Sequence, residues 1–227
     1  AEDLFRALHQ RTGSVDLAHG AFAELLNGQI NVRRVAPAGE VAEVDAQRRA
    51  IARNGKLYIL AQSKDEKPVP TILVYDTKEK AVLANVSVEG TSGLSYAQRD
   101  ISDIQLTADG VLVACNQTLN EFSDSQLEAG EERGEVSVYR WENDENGLPT
   151  GNPVKMFTSK LSGNMYRAYV GSTMAYSGTL ADGKIIMPAE SWYESRRIFG
   201  NAYTIIDGEM ASGTFINSAV HANFAGT

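Results

Sequence analysis

From Arg48 onward, short apolar runs alternate with polar breaks centred on glycine, the spacing of strands and hairpins rather than of helices. Arg53-Asn54-Gly55-Lys56 is an Asn-Gly dipeptide between apolar runs, the strongest local hairpin signal. Ala108-Asp109-Gly110 and Ala181-Asp182-Gly183 repeat the device. Each turn follows an apolar stretch: Ala50 to Ala52, Ile101 to Leu106, Met174 to Leu180. Each precedes a strand: Leu57 to Leu60, Val111 to Ala114, Ile185 to Met187. A third strand comes next (Ile72 to Asp76, Val136 to Tyr139, Tyr203 to Asp207), then a fourth (Ala81 to Val88, Val154 to Phe157, Thr214 to Val220).

Four antiparallel strands thus recur three times. The pattern predicts an all-β fold, a β-propeller or propeller segment of three four-stranded antiparallel blades over 46–220, divided at about 46–90, 98–160 and 165–220. The turn glycines are 55 and 73 residues apart, longer than the common blade period of about 40–50. The excess falls in loops such as the Glu-, Ser- and Gly-rich stretch 119–134. A three-sheet prism or a β-sandwich would satisfy the same pattern. Propellers usually have about four to eight blades, so the expectation is a larger ring, completed by a removed segment or by a second chain. Residues 221–227 read as the start of a further blade or a tail.

Residues 1–45 read differently, as a short α-rich N-terminal segment. Leu4, Phe5 and Leu8, then Leu17, Phe22, Leu25 and Leu26, fall near helical spacing, interrupted by Gly13, Gly20 and Gly28. Residues 36–47 read as a loop, broken at Pro37-Ala38-Gly39.

The run Asp100-Ile101-Ser102-Asp103-Ile104-Gln105-Leu106-Thr107-Ala108-Asp109-Gly110-Val111-Leu112-Val113-Ala114-Cys115-Asn116 resembles the inner hairpin of NHL- and YVTN-like propeller blades. Leu57 to Leu60 followed by Val74-Tyr75-Asp76-Thr77 is similar to the continuation of such blades. The whole chain also resembles an uncharacterised family of secreted propeller proteins from gut Bacteroidetes. The resemblance covers about 46–220 and speaks to fold far more than to function.

Net charge narrows the partners. At −8, with its Arg doublets scattered, the chain is not expected to bind nucleic acid. No apolar run reaches about 18 residues, so no membrane span is expected. The single cysteine, Cys115, permits no internal disulfide. The first residue is Ala1 rather than Met, as if a leader had been removed or the sequence began mid-gene. Together with the resemblance, this gives a periplasmic, cell-surface or secreted location as the expectation.

Candidate chemistry is sparse. His9, His19 and His221 lie outside the repeats with no metal-binding spacing, and Cys115 has apolar neighbours, so no catalytic residue is named. Seven residues past each turn glycine stand Gln62, Gln117 and Glu190, which could form a ring of ligand-binding side chains or simply be polar strand ends. Trp192, Tyr193 and Arg196 form an aromatic, charged loop with Glu190, suited to stacking on a sugar, anchoring a protein or packing on a neighbouring sheet. Tyr166, Tyr169 and Tyr176 could line the same face. Glu190 and Glu194 are candidate paired carboxylates for glycoside cleavage. The resemblance brings in gluconolactonase-like propellers, where innermost-strand carboxylates hold calcium. No cofactor is expected other than calcium, with Asp103 and Glu190 as its metal ligands and Asp100 and Asn116 beside them. Asn143-Asp144-Glu145-Asn146-Gly147 reads as a polar turn, not a calcium loop.

These features lead to a non-enzymatic binding protein, recognising a glycan or a protein through blade loops, as the first expectation. The alternatives are a calcium-dependent lactonase- or lyase-like propeller enzyme and a structural subunit of a shared ring.

Overall fold

The structure, a computed structural model, describes residues 44–63, 70–91, 99–120, 125–126, 134–160, 168–191 and 198–217. Over these residues the protein is all-β. The expected N-terminal helices and the tail at 221–227 lie outside the described residues. The strands are β1 (Val44–Arg53), β2 (Lys56–Ser63), β3 (Pro70–Asp76), β4 (Ala81–Val86), β5 (Arg99–Leu106), β6 (Leu112–Asn120), β7 (Glu135–Asn143), β8 (Pro149–Lys160), β9 (Ala168–Val170), β10 (Ala175–Gly178), β11 (Asp182–Ser191), β12 (Ile198–Ile206) and β13 (Glu209–Asn217). The chain forms two compact units, 1–88 and 89–227.

In unit 1, β1–β4 form one antiparallel meander in sequence order. Strand β1 begins at Val44, inside the stretch that reads as a loop. Asn54 and Gly55 both take positive φ (50° and 77°), as a tight hairpin turn requires. Leu57, Ile59, Ala61 and Leu73 pack on one face, while Tyr58, Leu60, Ile72 and Val74 are buried on the other. The unbroken apolar run at 57–61 reflects burial on both faces. The far turn is tied by Asp76, whose Oδ1 accepts the N–H groups of Lys78 and Glu79, each at 2.8 Å. These donors hold the exposed carboxyl below the usual carboxylate range.

Unit 2 contains two such meanders, β5–β8 and β10–β13, joined by β9. Strand β9 pairs with β6 on one side and β11 on the other, giving the order β13-β12-β11-β9-β6-β7-β8, with β5 on β6 and β10 on β11. Cys115, Val138, Phe157, Val170, Met187, Ala189 and Ile205 belong to its core. Along β11 burial alternates strictly: Gly183, Ile185, Met187 and Ala189 point inward, while Lys184, Ile186 and Pro188 are exposed. Pro188 has no N–H to give. It stands where β11 changes partner, between the Ala175↔Ile186 pair on β10 and the Val170↔Ala189 pair on β9.

One turn departs from its expected form. Ala181-Asp182-Gly183 is not the hairpin apex: Asp182 already begins β11, and the positive φ belongs to Gly178 at 94°. A Cβ on Gly178 would lie 2.2 Å from the Asp182 carbonyl oxygen, so only glycine fits. Gly183 instead makes room for Tyr176, whose hydroxyl would lie 2.3 Å from a Cβ there. The 143–147 segment is a polar turn in which Asp144 Oδ1 accepts the Asn146 and Leu148 N–H groups at 2.8 Å.

Candidate functional site

The meanders have two unlike ends. At one end of unit 2, β5 leads to β6, β7 to β8, β10 to β11 and β12 to β13 through short turns at 107–111, 144–148, 179–181 and 207–208. At the other end the chain leaves β6 at Asn120 and returns at Glu135, leaves β8 at Lys160 and returns at Ala168, and leaves β11 at Ser191 and returns at Ile198. Strands β6 and β11 are each antiparallel to β9, so they run parallel and both end on this long-connection side. Function on a rigid β scaffold concentrates in such connections.

Strand β9 lies at that end. Its Tyr169 sits directly opposite Leu119 of β6 and Glu190 of β11, and the tyrosine is 42% exposed. Its neighbour Val170 is fully buried opposite Thr118 and Ala189. Cross-strand partners share a face of the sheet. Tyr169 and Glu190 are therefore direct neighbours in the register, with the Tyr169 side chain exposed. This tyrosine is the signal that sequence reading grouped wrongly. Tyr176 belongs to the inward face, opposite Ile185, and its hydroxyl donates to the Thr179 carbonyl oxygen at 2.9 Å. Burial, and then the charges of Asp109 and Asp182, push its phenol up to about 12.

Gln62 pairs with Ala46 and Pro70 in unit 1. Gln117 lies in β6, and its Nε2 donates to Ser172 Oγ. Glu190 is placed by its backbone alone. Trp192, Tyr193, Arg196, Glu194 and Tyr166 lie outside the described residues.

Asp103 and Asn116 are structural pivots. Asp103 is buried to 1% exposure; its Oδ2 accepts the Met174 N–H at 2.7 Å and the Thr173 hydroxyl at 3.1 Å, and its Oδ1 accepts the Ile104 N–H at 2.9 Å. The β6–β7 ladder runs only to Cys115↔Val138; beyond it, Asn116 Oδ1 takes the Ser137 N–H at 2.6 Å and Nδ2 donates to Glu135 O at 3.4 Å. A calcium ion needs converging oxygen acceptors. Asp103 is instead surrounded by donors, and Asn116 turns its oxygen to a backbone N–H. Among the described residues, no group of three or more His, Cys, Asp or Glu could hold a metal ion. Both Asp103 oxygens thus accept hydrogen bonds from donors of the fold, and Glu190, the other expected calcium ligand, is described by its backbone alone.

Cys115 is fully buried; its Sγ donates to the Gly171 carbonyl oxygen at 3.3 Å. No helix among the described residues is long and apolar enough to cross a membrane.

No protein-family model and no curated protein matches the chain. Two solved structures are similar to it. One is an endo-arabinase from Bacteroides thetaiotaomicron VPI-5482, at 11% identity and a TM-score of 0.41, covering 78% of this chain and 65% of that one. The other is a thermostable family-43 glycoside hydrolase, at 10% identity and a TM-score of 0.29, covering 77% and 70%. The chain thus spans just under two thirds of the endo-arabinase's length. Likeness at this level transfers no residue role. It does correct the first expectation: the structures similar to this chain are enzymes acting on carbohydrate, not non-enzymatic binding proteins. The physical reason is that long connections on a rigid sheet can build a reaction site as well as a recognition surface. Loop growth, which led to the binder as the first expectation, suits a reaction site equally well.

Proposed function

We propose that this chain is a carbohydrate-active enzyme on a propeller-type β scaffold, meeting its glycan at the long-connection end of unit 2. The observation carrying this reading is the exposed Tyr169 directly opposite Glu190, beside the point where the chain runs on into Trp192 and Tyr193. An aromatic face stacks on the C–H face of a sugar ring, and a carboxyl group can protonate a glycosidic oxygen or activate water. Tyr169, Trp192 and Tyr193 would hold the sugar; Glu190 would act on the bond, with Glu194 as the second carboxyl group and Arg196 as a hydrogen-bond donor.

The test is reducing-sugar release from a panel of polysaccharides, arabinan among them, alongside calorimetric binding to the same panel. Glu190→Gln should lower kcat by at least about 100-fold while binding persists. Tyr169→Ala should raise KM by about tenfold. Neither binding nor cleavage by the wild-type protein across the panel would overturn the reading, and unchanged kcat in Glu190→Gln would remove Glu190 from it.

A further inference from the structure

We propose that Asp103 is a positioning residue for the Tyr169–Glu190 pair, acting through the Gly171–Met174 turn. The proposal rests on that pair being the glycan site.

Strand β9 is only three residues long, yet its register decides which side chain stands opposite Glu190. A slip of one residue would send Tyr169 to the core face and Val170 to solvent. So short a ladder is weak by itself. What anchors it is the turn immediately after it, Gly171-Ser172-Thr173-Met174, which β5 and β6 grip with five side chains. Ser102 Oγ and Cys115 Sγ donate to the Gly171 carbonyl oxygen. Gln117 Nε2 donates to Ser172 Oγ, and Gln105 Nε2 donates to the Met174 carbonyl oxygen at 2.8 Å. Asp103 takes two donors of the turn on one oxygen, the Thr173 hydroxyl and the Met174 N–H.

Asp103 is the only carboxylate in this grip, and it is buried. Burying a carboxylate is expensive, and well-packed apolar residues often stabilise a core as well or better. Its distinctive contribution is directional. Hydrogen bonds to a charged acceptor are roughly twice as strong as neutral ones and fix geometry. Asp103 holds Thr173 and Met174 at a set distance from β5, and the turn thereby holds Val170 and Tyr169 against β11. Asp103 itself lies in the core and does not touch the glycan.

The test compares wild type, Asp103→Asn and a core variant, Ile185→Val, that removes one buried methylene and none of the hydrogen bonds to the turn. The readings are thermal midpoint, amide hydrogen exchange over 168–174, and affinity for the polysaccharide that wild type binds best. Asp103→Asn keeps an acceptor but loses the charge. It should speed exchange of Val170 and Met174 and weaken glycan binding by about tenfold, the worth of one charge-assisted hydrogen bond. Ile185→Val should lower the midpoint while leaving affinity unchanged. Equal affinity in Asp103→Asn and wild type, or equal losses in both variants, would overturn the proposal. Should Asp103→Asn fail to fold, Thr173→Val removes one of the two donors on Oδ2, keeps the charge, and is read in the same way. A wild-type protein that binds no glycan would sink the site reading instead; the exchange data would still decide whether Asp103 holds β9.

Discussion

Gly171 passes so close to Asn116 that a Cβ on the glycine would lie 2.0 Å from the Asn116 carbonyl oxygen. The contact joins the start of the turn after β9 to the middle of β6, and Gly171 also has φ of 80°, where side chains are strained. Gly171→Ala should therefore destabilise unit 2 by about 3 kcal/mol or more, since both the backbone angle and the contact resist it. Urea unfolding followed by tryptophan fluorescence would measure the loss. A change below about 1 kcal/mol would mean that the approach relaxes easily.

Asn116 and Thr118 share β6 but should behave in opposite ways. Asn116 replaces missing ladder bonds, so Asn116→Leu strands the Ser137 N–H and should cost about 2–3 kcal/mol. Thr118 is fully buried, and its Oγ1 has no hydrogen-bond partner among the described residues. Thr118→Val preserves shape and removes an unpaired hydroxyl, so it should be neutral or raise stability by up to about 1 kcal/mol. Parallel urea curves for the two variants decide this. Destabilisation by Thr118→Val comparable to that of Asn116→Leu would show that the hydroxyl has a partner in solution.

Tyr176 supplies a pH signature. Its phenol is raised from 10.0 to about 12, by burial first and then by Asp109 and Asp182. The folded state thus keeps its proton where the unfolded state loses it. The stability this contributes is fully present below pH 10 and disappears as pH rises from 10 to about 12. Tyr176→Phe should flatten that part of the stability–pH curve. Phenolate absorbance in the folded protein should also show one tyrosine fewer titrating late in the variant. Identical curves for wild type and Tyr176→Phe would contradict the assignment.

Cys115 should behave as a small core residue whose thiol makes weak hydrogen bonds, to the Gly171 carbonyl oxygen and with the Ser102 hydroxyl. Its thiol should be inert to a disulfide reagent in the native protein and react on unfolding. Cys115→Ala should cost about 1–2 kcal/mol, from lost packing and the lost contact to Gly171. Rapid native labelling would show that this part of the core opens readily.

Local patterning determined much of this protein. Turn glycines and period-two or continuous apolar runs mark β2, β3, β6, β7, β11 and β12, because the side-chain period of a strand and the φ demands of a tight turn are local properties. The Asn54-Gly55 hairpin and the Asp144 turn form as their residues require. Tertiary structure decided the rest. Strand β9 has only three residues and exists because β6 and β11 offer it two open edges, which no window of sequence reveals. The third hairpin turns over 179–181, between Gly178 and Gly183, which pair across its base, and the Tyr176 hydroxyl fills the space beside Gly183. Asp103 reads as a metal ligand in the sequence; that it accepts hydrogen bonds from Thr173 and Met174, about 70 residues away in the chain, shows only in the fold. The pairing of Tyr169 with Glu190 is likewise a matter of register. Hydrogen bonds and ladders between distant segments depend on which strands become neighbours, and that is settled only when the sheets assemble.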